Sequence, residues 1–176
     1  MKRLTDRILA HDVTVGIVGL GYVGLPLGLV FCEAGLEVLG FDVDLAKVEA
    51  LARGESYIKH IGPERIAEAV KTNRFSATTD FGRLGECDAV MICVPTPLGR
   101  NREPDLGYVH DTAERIAETL RPGQLIVLES TTYPGTTEEE VLPRLEKTGL
   151  TSPDDFLPAF SPEREDPANP DYSTRT

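Results

Sequence analysis

Val13-Thr14-Val15-Gly16-Ile17-Val18-Gly19-Leu20-Gly21-Tyr22-Val23-Gly24 is the stretch that decides the fold. Its first half is an apolar run of strand length, and its second half places glycines at 19, 21 and 24. In a strand-turn-helix unit that binds a dinucleotide, each glycine has its own task. Gly19 permits the tight reversal, Gly21 lets the backbone approach a pyrophosphate, and Gly24 lets the following helix pack closely on the strand. The helix start then offers unpaired N–H groups and a positive dipole end to the phosphates. The same glycine spacing occurs in ordinary loops, so context decides. Here a second strand-like run, residues 37–41, ends in Asp42, 18 residues after Gly24. That is close to the roughly 20 residues expected before the acid that grips an adenosine ribose.

Asp42 also selects between cofactors, because a carboxylate accepts hydrogen bonds from free ribose hydroxyls and repels a 2'-phosphate. NAD is expected over NADP. A hydrogen bond to a charged group contributes about 1.5 to 3 kcal/mol, enough for a ten- to hundredfold preference. Lys47 is either a second clamp on the adenosine end or a surface lysine.

The 176 residues suit one domain with a core around a single sheet. A net charge of −11 argues against a nucleic-acid partner, since phosphate backbones are bound through clustered Lys and Arg. No apolar stretch approaches the roughly 20 residues that span a bilayer. Residues 1–12 form a polar N-terminal extension without a signal-peptide core. The expectation is a cytoplasmic protein without a membrane partner. Cys32, Cys87 and Cys93 are odd in number and unclustered, which favours reduced, buried thiols over disulfides or a metal site. His11, His60 and His110 have no triad or metal spacing.

Strand and helix patterns alternate from Val13 onward, the signature of an α/β fold: a Rossmann-like, doubly wound, mainly parallel sheet with helices on both faces. A first helix starts near Tyr22 and is closed by Gly35, with apolar residues at helical spacing between. Further helices are expected over residues 44–53, 63–71 with Pro63 in the first turn, 106–120, and 136–147 with an interruption near Pro143. Strands are expected over residues 75–78, 89–93, 125–129 and 156–160. Residues 13–165 form the domain, and 166–176 an extended or disordered tail.

Ligands of such sheets lie beyond the carboxyl ends of the strands, which gives three polar junctions weight. Val94-Pro95-Thr96-Pro97 holds a hydroxyl in a stiff frame, or is only a rigid turn. Ser130-Thr131-Thr132-Tyr133-Pro134-Gly135 is a hydroxyl cluster for ligand contact, for capping the next helix, or for both. Ser161-Pro162-Glu163-Arg164-Glu165-Asp166 is either a site element or a solvated charged face.

Together these junctions resemble the N-terminal NAD-binding domain of the UDP-glucose/GDP-mannose dehydrogenase family. The resemblance rests on residues 19–26, Asp42 with Lys47, Cys93 to Pro97, Glu129 to Thr131 and Ser161 to Arg164. Ser56-Tyr57-Ile58 with His60-Ile61, and Arg102-Glu103-Pro104-Asp105-Leu106, look most like members that oxidise UDP-N-acetylhexosamines.

The resemblance implies NAD as cofactor, held by Gly19, Gly21, Tyr22, Val23, Gly24, Asp42, Lys47, Thr96 and Thr131. It implies a UDP-sugar substrate touched by Arg164 and Glu165, and a homo-oligomer for full-length members. The family oxidises the sugar C6 alcohol to a carboxylate in two NAD-dependent steps through a cysteine-bound thioester. That cysteine lies in a Gly-rich motif ending in Lys-Asp, downstream of the first domain and preceded by a catalytic lysine, and neither motif occurs in these 176 residues. Cys93 matches the strand-end element and not the nucleophile. No catalytic residue is therefore assigned, Glu165 being at most an assisting acid. These residues are expected to bind NAD without turning over sugar, and the alternative is an NAD-binding sensor or docking module.

Overall fold

The computed structural model describes residues 4–59, 61–99 and 103–162. Its framework is one six-stranded sheet in the order β3-β2-β1-β4-β5-β6. The strands are β1 (Thr14–Val18), β2 (Glu37–Phe41), β3 (Phe75–Thr78), β4 (Ala89–Ile92), β5 (Leu125–Leu128) and β6 (Leu157–Phe160). Every neighbouring pair is parallel. Helices connect them: α1 (Leu4–Leu9) before the sheet, α2 (Gly24–Glu33) after β1, α3 (Leu45–Ala52) and α4 (Pro63–Lys71) after β2, α5 (Gly107–Ala117) after β4, and α6 (Leu142–Leu145) after β5. The strand order reverses between β1 and β4, the point at which such sheets open a crevice.

Successive side chains of a strand point to opposite faces, and the central strands are apolar on both. Val15 and Ile17 of β1 join Leu25 and Leu29 of α2 and Ile66 of α4 in one core. Val18, Val90 and Ile92 join Val109 and Ile116 of α5 and Phe156 in the other. Burial on two sides is why these strands read as continuous apolar runs rather than as an alternating pattern. Among the described residues no helix is long and apolar enough to cross a membrane.

Local chemistry sets most boundaries. Asp44 caps α3 by accepting the Ala46 N–H at 2.9 Å, an arrangement contributing about 1 kcal/mol. Pro63 opens α4, where a missing N–H costs nothing. Gly35, at φ +94°, follows the last residue of the α2 cap, as expected of a left-handed terminator. The expected start of α2 near Tyr22 is corrected to Gly24, because Gly21 to Val23 are used in the turn itself. The strands expected over 89–93, 125–129 and 156–160 are each one residue shorter, and Phe156 precedes β6 as a buried anchor.

Two elements differ more. The segment expected as one helix over 136–147 begins with a widened π turn at Thr137–Val141, continues as α6 and ends in a 3-10 turn at Glu146–Thr148. Pro143 has no N–H to give to the carbonyl four residues earlier, and the widened turn lies directly before it. A 3-10 turn at Phe81–Glu86, not anticipated from the pattern, is started by Asp80 accepting the Gly82 N–H at 2.9 Å. The polar N-terminal extension contains α1, and Arg7 ties it to the sheet through Asp88 at 2.7 and 2.8 Å. The tail expected over 166–176 lies outside the described residues.

Candidate functional site

Beyond the carboxyl ends of β1 and β4 lies a cleft of about 490 Å³. One wall is the glycine turn, contributing Gly19, Gly21, Tyr22 and Val23, and the floor is the end of β2, contributing Asp42 and Val43. The opposite wall comes from Val94 and Pro95 after β4 and from one face of α5.

The three glycines meet three different constraints. Gly19 adopts φ +94°, and a Cβ there would approach the Cys93 carbonyl oxygen to 2.5 Å. A Cβ on Gly24 would fall 1.9 Å from the Gly19 carbonyl oxygen and 2.9 Å from Ile17 Cγ2, so close helix-strand packing requires glycine. A Cβ on Gly21 would meet nothing within 4 Å. Gly21 thus faces open space where a ligand would approach, and among the described residues no acceptor takes its N–H. The first amides of α2 follow at once, with the positive end of the helix dipole.

Asp42 is buried, with 6% of its surface exposed. Its Oδ2 accepts the Leu20 N–H at 3.0 Å and Lys47 Nζ at 3.1 Å, and its Oδ1 accepts the Asp44 N–H at 3.0 Å. A carboxylate offers about four lone-pair positions. Among the described residues three are occupied, which leaves one on Oδ1. Lys47 lines the same cleft, where its ammonium pairs with Asp42 and lies 5.9 Å from the centre of the Tyr57 ring. Tyr57 donates its hydroxyl to the Leu20 carbonyl at 2.5 Å.

Thr96 and Thr131 come together at the ends of β4 and β5, where Thr96 Oγ1 donates to the Thr131 carbonyl at 2.7 Å. They stand beside the main cleft and do not line it. Ser130 ties the same two ends together, its single hydroxyl proton shared between the Ile92 and Val94 carbonyls at 3.2 and 2.8 Å. The hydroxyls after β5 do not cap the following helix: its cap residue Thr136 makes no side-chain capping bond and donates to Tyr133 O at 2.7 Å. A second concavity of about 500 Å³ lies between this loop and β6. Arg164, Glu165, His60 and Arg102 lie outside the described residues.

Of the three cysteines, Cys93 lines the cleft just beyond β4. Cys32, Cys87 and Cys93 are all buried, and none of them forms a disulfide. Burial pushes the Cys32 and Cys87 thiols up to about 12. No group of His, Cys, Asp and Glu among the described residues has the arrangement to hold a metal ion. His110 Nε2 lies 2.7 Å from Glu140 Oε2, at charge-contact distance but without hydrogen-bond alignment, and takes no part in the cleft.

Sequence reasoning missed the α5 wall. Tyr108, Asp111, Thr112 and Arg115 all line the cleft, and Arg115 stacks on the Phe81 ring at 4.5 Å. Their spacing of 0, 3, 4 and 7 is one helical face, so a mixed polar face on the helix beside the switch point was the available signal. Phe81 had no local signal, since it enters from the unanticipated 3-10 turn.

The profile described as the UDP-glucose/GDP-mannose dehydrogenase family, NAD binding domain, matches residues 13–176. UDP-N-acetyl-D-glucosamine 6-dehydrogenase of Pseudomonas aeruginosa is 36% identical over 162 residues, covering 92% of this chain and 37% of that protein. UDP-N-acetyl-D-mannosamine dehydrogenase of Pyrococcus horikoshii is 34% identical over 153 residues, covering 85% and 36%. The crystal structure of NDP-N-acetyl-D-galactosaminuronic acid dehydrogenase from Methanosarcina mazei superposes with a TM-score of 0.82 at 36% identity, covering 94% of this chain and 38% of that one. The chain spans little more than a third of the length of these relatives.

Proposed function

The chain belongs to the UDP-glucose/GDP-mannose dehydrogenase family, whose NAD-binding domain it matches, and on that premise we propose that it holds the NAD of an enzyme oxidising the C6 alcohol of a UDP-N-acetylhexosamine. The observation that carries this reading is the pairing, in one cleft, of the open face of Gly21 with the Asp42 carboxylate.

In this reading Asp42 Oδ1 accepts a hydroxyl of the adenosine ribose, while the Gly21 N–H and the first amides of α2 face the pyrophosphate. Val43 and the Tyr108 ring are exposed on either side of the adenosine end and provide apolar contact for the base. Thr96 and Thr131, joined by their own hydrogen bond, mark the path toward the nicotinamide end. NAD, when bound, supplies the hydride acceptor. The named relatives that act on N-acetylated UDP-sugars support the substrate class, with Arg164 and Glu165 assigned to substrate contact from the family pattern.

Lys47 is bonded to Asp42, so it is not a spare cation for a 2'-phosphate, and a phosphate there would replace the ribose hydroxyl that Asp42 accepts. Calorimetric titration with both cofactors tests the reading. NAD should bind about tenfold or more tightly than NADP, and equal or reversed affinity would defeat it.

A further inference from the structure

Leu20, between the first two glycines of the turn, has both of its backbone polar groups held by side chains from elsewhere in the chain. Its N–H is taken by Asp42 Oδ2 at 3.0 Å and its carbonyl by the Tyr57 hydroxyl at 2.5 Å. Each bond fixes one peptide plane: the Asp42 bond fixes the Gly19–Leu20 unit, and the Tyr57 bond fixes the Leu20–Gly21 unit. In a planar trans peptide the C=O and the following N–H point in opposite directions. Among the described residues only Ser152–Pro153 is cis, so this rule governs the turn. A carbonyl pinned toward Tyr57 therefore turns the Gly21 N–H away from it, and this N–H has no acceptor among the described residues.

We propose that Tyr57 is a positioning residue for the cofactor's phosphates, orienting the Gly21 N–H by holding the carbonyl of the peptide it belongs to. The proposal rests on the NAD reading above. Tyr57 itself does not line the cleft, so it acts through the turn and not by contact.

The surroundings keep the phenol in place as a donor. The loop carrying Tyr57 is folded on itself by Ser56, whose Oγ donates to the Ile58 carbonyl at 2.9 Å and accepts the Ile58 N–H at 3.2 Å. Ile58 is buried beside it, and the Tyr57 ring packs against the core under α2 and α4. Burial first, then the charges of Asp42 and Asp44, raise the phenol's pKa, so it keeps its proton. Lys47, over the ring, joins Tyr57 and Asp42 into one support beneath the turn.

The test uses Tyr57→Phe, which keeps the ring and removes the hydroxyl, in the 176-residue chain. Wild type and variant are titrated with NAD, ADP-ribose and adenosine, and the amide spectrum of the ligand-free proteins is compared. The variant should lose about tenfold in affinity for NAD and ADP-ribose. It should bind adenosine, which has no phosphate, as wild type does, and the Gly21 amide signal should move in the free protein. Unchanged NAD affinity, or an equal loss for adenosine, would overturn the proposal while leaving the NAD reading standing. An unfolded variant would assign the hydroxyl to the fold and also overturn it. Failure of wild type to bind NAD would remove both.

Discussion

The carboxylate of Asp42, at the end of β2, accepts the N–H of Leu20 in the glycine turn after β1 at 3.0 Å, so the acid of the nucleotide site is also a strut of the turn. Removing it affects two properties. Asp42→Ala leaves the Leu20 and Asp44 N–H groups without their acceptor and strips Lys47 of its partner. The expected cost is about 2 to 4 kcal/mol of unfolding free energy, besides weaker NAD binding. Urea denaturation measures the first and calorimetry the second. A variant as stable as wild type would show that these bonds contribute nothing to the fold.

The two glycines that differ most in surroundings separate fold from ligand. Gly24→Ala places a Cβ 1.9 Å from the Gly19 carbonyl oxygen and must displace the start of α2. Its melting temperature should fall by about 4 to 12 degrees, a loss on the order of 2 to 3 kcal/mol. Gly21→Ala meets no protein atom within 4 Å and should melt close to wild type while losing affinity for NAD. A stable Gly24→Ala, or a Gly21→Ala that binds as wild type does, would contradict the separate tasks of the two residues.

At the opposite end of the sheet, Asp88 accepts hydrogen bonds from Arg7, Arg121 and the Thr14 N–H. Burial works to raise its pKa, but these three partners outweigh burial and hold it below its ordinary value. A carboxyl depressed in the folded state contributes stability above its unfolded value, and the contribution is lost as pH falls through its folded pKa. The stability difference between wild type and Arg7→Gln should therefore be full at about pH 6 and shrink as pH falls below about 4. Urea titrations across that window measure it, and a difference that does not change with pH would exclude Asp88 as the group responsible.

The sequence was most informative where the chemistry is local. The glycine turn, the Pro63 start of α4, the left-handed Gly35 and the class of fold all depend on neighbours within a few residues. What depends on distant neighbours was not legible. The burial of Asp42 follows from Leu20, 22 residues earlier, and the attachment of α1 follows from an Arg7–Asp88 pair 81 residues apart. Tyr57 reads in the sequence only as part of a subfamily pattern, and its bond to Leu20, 37 residues away, depends on how the loop folds. The α5 wall was readable in part, since its residues share a helical face, but its partner Phe81 was not.

Positioning a cofactor does not supply the thiol that the family's aldehyde step requires. All three cysteines are buried, and burial pushes two of them up to about 12, far from a thiolate at neutral pH. These 176 residues, incubated with NAD and UDP-N-acetylglucosamine or UDP-N-acetylmannosamine, should produce no sustained NADH absorbance. Sustained turnover that disappears in Cys93→Ser would reverse this assignment and make Cys93 the nucleophile.

NAD is proposed to lie in the cleft between the glycine turn, the end of β2 and α5. Titrating isotope-labelled protein with NAD while recording amide spectra tests it most directly. Saturable shifts should concentrate at Gly19 to Gly24, Asp42 to Lys47, and Tyr108 to Arg115, with residues around Asp88 and α1 unmoved. Shifts that fail to saturate, or that centre on the Asp88 end of the sheet, would contradict the account.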